Sequence, residues 1–288
     1  MNKEVNFALP INKEMKKSKL ILAAFAFAGS TLIISCGGEV EDTGPKYNFE
    51  KADSLPDDYL KELGIVKTNI ELTAKLFETM NENGFSFNEG NMLSAGKSFS
   101  GSSKQAMGVG AIGTDMVYAI SFKQNQSAIA RMEGLLSQSN ALGVAEAFDK
   151  SLMEKLSSED STINKSVILT KAYLNAKDQL FSEERAQRAT FMVIGGWLEG
   201  LHISSNMCKD DLSNLDIRLG LWEICNTYSN VMSMSKVFES NADMKDISTK
   251  ISELGPLVKR ISGNSKKYNS EDVVALAEGV AKIRNSVL

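Results

Sequence analysis

Two stretches carry more glycine than a helix standing alone tolerates, and they constrain how the rest of the chain folds. Residues 104–123, KQAMGVGAIGTDMVYAISFK, contain Gly108, Gly110 and Gly113. A second stretch, ERAQRATFMVIGGWLEGLHIS, contains Gly195, Gly196 and Gly200, and within 191–203 its one charge is Glu199. Each glycine weakens a helix by about 1 kcal/mol against alanine. The compensating use is a backbone that lies close to another helix. If these two helices cross there, Asp115 and Glu199 come near one another and near Tyr118.

The remainder of the chain reads as helical too. Four prolines in 288 residues, abundant Ala, Leu, Lys, Glu and Met, and few alternating runs of β-branched and aromatic residues give an all-α class. The expected architecture is a single antiparallel multi-helix bundle of eight or nine helices over 57–288. The first helix starts at Asp57, with acids in its first turn, and ends at Asn83-Gly84. Residues 85–103, rich in Gly, Ser and Asn, read as an irregular connection, of a length that is often partly ordered over a groove, or functional. Helices follow near 104–123, 126–139, 144–156 and 161–176. The sixth begins after Ser182, with Glu183 and Glu184 in its first turn, and ends near Asn206. The seventh covers 212–238. In the eighth, Met244, Ile247, Ile251, Leu254, Val258 and Ile261 form a coiled-coil-like seam, which Gly255-Pro256 should kink or divide. The last is capped by Ser270 and places Val273, Ala277, Val280 and Arg284 on one face.

Ahead of this domain, residues 20–36 read LILAAFAFAGSTLIISC, behind Lys16, Lys17 and Lys19. A basic lead, a short apolar run and small residues before a cut site make a secretory signal over 1–35, with Met15 the more natural start. As a transmembrane helix, fifteen apolar residues would span only about 22 Å of a ~30 Å hydrocarbon core. Ile33-Ile34-Ser35-Cys36 resembles the lipobox of bacterial lipoproteins. That resemblance implies an acylated Cys36 and cleavage before it, with the mature chain tethered to a membrane by its lipids. Residues 36–56 then form a flexible acidic tether. Its Glu39, Glu41 and Asp42 are similar to the surface-export signal of Bacteroidota lipoproteins, or are ordinary acids of a solvated linker.

The mature chain would carry a net charge of −7, with no basic run, which argues against nucleic acid as a partner. Cys208 and Cys225 would be its remaining cysteines. On either side of a helical turn they should differ in height by roughly 10 Å, too far for a bridge that needs Cα atoms within about 7 Å. Two separately buried thiols are expected.

A wider resemblance rests on Gly110-Ala111-Ile112-Gly113-Thr114-Asp115-Met116-Val117-Tyr118, on Gln124-Asn125-Gln126 and on Gly195-Gly196-Trp197-Leu198-Glu199-Gly200-Leu201. These segments resemble a family of all-helical Bacteroidota lipoproteins over about 57–288. The resemblance implies fold and location, in the cell envelope and at the outer membrane, and no particular activity.

Candidate chemistry centres on Asp115, Tyr118, Trp197 and Glu199, read as a ligand-binding or structural polar cluster. A buried carboxylate needs a partner; Arg131, Arg185, Arg188 and Arg218 are the guanidinium groups considered. The structural reading, an ion pair or a Tyr118 hydrogen bond that fixes helix register, outweighs a paired-acid site. Glu199-Gly-Leu-His202 has the Glu-x-x-His spacing of di-iron bundles, but His202 is the chain's one histidine, so that pattern cannot be completed. Gly108-x-Gly110-x-x-Gly113 matches the letters of a dinucleotide fingerprint with no strand before it. No cofactor or metal is expected. The leading expectation is a non-enzymatic, lipid-anchored binding or scaffold protein whose partner is an envelope protein or a small ligand. The alternative is a small-molecule hydrolase or lyase using Asp115 and Glu199.

Overall fold

The computed structural model describes residues 57–288 apart from 159, 161, 183–184 and 264–266. The signal segment, Cys36 and the tether lie outside the described residues. Among the described residues there is no strand, and eleven α-helices follow one another: α1 (Asp57–Glu82), α2 (Ser102–Ser121), α3 (Asn125–Leu142), α4 (Lys150–Ser157), α5 (Lys165–Ser182), α6 (Ala186–Cys208), α7 (Leu215–Asn226), α8 (Tyr228–Lys236), α9 (Ala242–Ser252), α10 (Gly255–Ser262) and α11 (Ser270–Val287). The chain is all-α. No described helix is long and apolar enough to cross a membrane.

Local chemistry sets most of the boundaries. The side chains of Asp149, Asn214 and Asn241 accept backbone N–H groups at the starts of α4, α7 and α9. Asn269 and Asp272 make a capping box on α11, so the cap is Asn269 and Ser270 is the first helical residue. Gly143 ends α3 in the left-handed region, at φ 69°. Pro256 sits in the first turn of α10, where its missing N–H costs nothing, and the expected long eighth helix is two. The expected seventh is also two. Thr227 bonds back to the Ile224 carbonyl and separates α7 from α8. In the other direction, α5 runs on past Ala176 to Ser182, which therefore ends a helix instead of capping the next. Leu180, fully buried, draws that extra turn inward.

Helix α6 is the axis of the domain. From Phe191 to Ser205 every residue except Gly196 is buried, and α1, α2, α5, α7 and α11 all pack on it. The tightest crossing is with α2. A methyl group on Gly195 would lie 2.1 Å from the Met107 carbonyl oxygen, and one on Gly110 would lie 1.9 Å from that of Met192. Backbone therefore rests on backbone, which glycine alone permits. The other glycines make room for side chains from third elements: Gly108 for the Phe99 ring, Gly113 for Tyr173 of α5 and Gly200 for Thr73 of α1.

Candidate functional site

The crossing of α2 and α6 brings Asp115 and Glu199 together in a region sealed from solvent, each 0 % exposed. Arg284 reaches across from α11 and binds both Glu199 oxygens, Nε to Oε2 at 2.7 Å and Nη2 to Oε1 at 2.6 Å. This is the paired, charge-assisted geometry that offsets part of the cost of burying a carboxylate. Arg284 lay outside the four arginines considered from the sequence. Its signal was its place on the apolar face of the last helix, beside Val273, Ala277 and Val280.

Asp115 is held differently. Its Oδ2 accepts the Leu93 N–H at 3.0 Å, while Oδ1 finds no donor. The Asp115 and Glu199 carboxyls lie close enough to act on each other. Burial pushes the Asp115 carboxyl well above its ordinary value of 3.8, and the neighbouring Glu199 charge pushes it further. The Leu93 N–H and Arg284 oppose this more weakly.

Arg131, 4 % exposed, approaches the same acid with its Nε 3.9 Å from Oδ2, beyond hydrogen-bond reach. Its fork is turned mainly to the backbone: Nη2 donates to the Leu93 carbonyl at 2.8 Å and Nη1 to that of Ser127 at 2.9 Å, while Nη1 also reaches Glu89 Oε1 at 3.3 Å. The N–H and the carbonyl of Leu93 are thus both gripped by buried side chains, Asp115 on one and Arg131 on the other. They pin the connection between α1 and α2 onto the bundle. Tyr118, one turn after Asp115, serves the same segment. Its hydroxyl accepts the Asn88 N–H at 2.9 Å, and its ring stacks on Phe87 with centroids 5.1 Å apart.

Trp197 does not join this cluster. Its indole N–H donates to Thr227 Oγ1 at 3.0 Å, and its ring lines an apolar cleft. Trp197 and Glu199 are two residues apart, about 200° around a helix, and so face opposite ways. His202, one turn past Glu199, is 8 % exposed and pairs through Nδ1 with Asn206. Burial, then the charges of Arg284 and Lys209, lower its pKa to about 4, so it is a neutral ring at pH 7. Among the described residues no three His, Cys, Asp or Glu side chains are grouped to hold a metal. Cys208 and Cys225 are buried and free, and burial raises both thiols far above the reactive range.

This cluster keeps both acids shut away from water. It locks α2, α6, α11 and the 83–101 connection together. No protein-family model, curated protein or solved structure matches the chain.

Proposed function

We propose that this protein is exported, lipid-anchored through Cys36 in the cell envelope, and non-enzymatic, its helical domain serving as a binding or scaffold module. The observation that carries the reading is the segment 20–36, with its basic lead, its short apolar run and Ile33-Ile34-Ser35-Cys36 at its end. The sealed acid pair supports the non-enzymatic part. Both acids are fully buried, and Arg284 occupies both oxygens of Glu199, whereas a general acid or base must reach its substrate. The outer membrane is the proposed site of anchoring, on the resemblance to the Bacteroidota lipoproteins. An envelope protein or a small ligand is the proposed partner.

The test is metabolic labelling with a fatty acid. The chain should take up label and fractionate with membranes, and Cys36→Ser should lose both or stall as an uncleaved precursor. Label persisting on Cys36→Ser would refute the anchor.

A further inference from the structure

We propose that the cleft beside Trp197 binds the end of a linear aliphatic chain. This deepens the reading of the domain as a binding module and rests on it, but its geometry is independent of the anchor. The cleft lies between α1, α2, α5, α6, α7 and α8, the inter-helix position where bundles hold ligands. Ile70, Thr73, Thr114 and Gly196 form its half-exposed mouth. The mouth explains why Gly196 is the one accessible residue in the middle of α6. Val117, Tyr173, Trp197 and Ile224 line the buried part.

Three observations select the ligand. Among the described residues no charged side chain lines the cleft. Most of the polar groups on its walls are already engaged within the protein: Thr114 Oγ1 donates to the Gly110 and Gly196 carbonyls, Tyr173 to Met192, Thr227 to Ile224, and Trp197 to Thr227. A ligand here is met chiefly by apolar surface. The enclosed volume is about 40 Å³, far below the ~150 Å³ in which a benzene ring is held. It admits a few carbons in single file, and the open mouth lets the chain continue outward.

Gly113 adds a fourth observation. An added methyl there would meet only the Tyr173 ring, at 3.3 Å, with no backbone in the way. The Tyr173 ring would have to give by a few tenths of an ångström to admit it, and the glycine costs α2 about 1 kcal/mol. What its missing side chain provides is room for the Tyr173 ring where that ring forms a wall of the cleft.

The test uses the full chain carrying Cys36→Ser, which has no acyl chain of its own, with Trp222→Phe so that Trp197 is its sole tryptophan. The probe is 6-bromohexan-1-ol, whose terminal bromine quenches indole fluorescence. Saturable quenching is expected, with Gly113→Ala weakening the probe by about tenfold, as overpacking a tight site does. Bromobenzene should quench without saturating. Ile70→Phe, which narrows the mouth, gives a second variant should Gly113→Ala not fold, and it should weaken the probe likewise. Linear quenching by 6-bromohexan-1-ol would overturn the proposal. So would saturable binding untouched by both variants, or saturable binding of bromobenzene at equal affinity. None of these outcomes bears on fatty-acid labelling of Cys36, so the failure of one reading is distinguishable from the failure of the other.

Discussion

Adding one methyl group at Gly195 should part the two central helices. The new carbon of Gly195→Ala would sit 2.1 Å from the Met107 carbonyl oxygen and 2.6 Å from its carbon and Cα. All three are helical backbone and cannot rotate aside. Restoring ordinary contact requires α2 and α6 to separate by about 1.3 Å. A gap of that size forfeits roughly half the dispersion energy across the interface. It also draws Asp115 away from Glu199, leaving buried polar groups short of partners at about 1–3 kcal/mol. Overpacking of this kind costs about 1–3 kcal/mol, and the gain in helix propensity returns about 1 kcal/mol. The net should be a loss of roughly 1–5 kcal/mol, a substantial share of the 5–15 kcal/mol typical of a folded domain. Urea melts followed by circular dichroism measure it. Gly134→Ala is the control of opposite sign. Gly134 lies within α3 and its added methyl would be 3.8 Å from Ile112 Cδ1 and from the Lys97 carbonyl oxygen, so it should stabilise by about 0.5–1 kcal/mol. A Gly195→Ala variant as stable as its parent, beside a normal Gly134→Ala, would refute the backbone crossing and the meeting of Asp115 with Glu199 that follows from it.

Arg284→Ala strands a buried carboxylate and should cost about 3–5 kcal/mol in urea melts, while Glu199→Leu with Arg284→Leu should recover much of that; a double variant no better than the single one would refute the pairing. His202 is the chain's one histidine, so its imidazole resonance should titrate alone, near pH 4, and a midpoint at the ordinary 6.5 would contradict a buried neutral ring. The stability follows with a definite sign. The unfolded chain takes up a proton below about pH 6.5 that the folded one refuses until about pH 4, so this contribution is complete above 6.5 and is lost as pH falls through that window. His202→Gln should flatten the decline.

Much of the domain was legible in the sequence because its determinants are local. Helical period, asparagine and aspartate caps, and Gly255-Pro256 act within a turn or two of themselves. The glycines of 104–123 and 191–203 are also local, and their cost implied a crossing before any partner was known. From that crossing the meeting of Asp115 with Glu199 followed, as did Tyr118 at its edge. The phase of a single helix would even have separated Trp197 from Glu199, since two residues of rotation set them on opposite sides.

What tertiary structure decided lies at long range. Arg284 stands 85 residues from Glu199, and nothing near either names the other. Leu93 is gripped through its peptide groups, which every residue possesses, so no side-chain pattern marks it. The division of α7 from α8 accompanies a hydroxyl at Thr227 that also holds Trp197, thirty residues earlier. The cleft is space left between six helices, defined by where side chains stop. A sequence states which groups a chain carries and how each turn of it is biased. Which distant groups meet, and where room remains between them, is fixed only when the helices pack, because burial and pairing energies depend on neighbours that chain order does not specify.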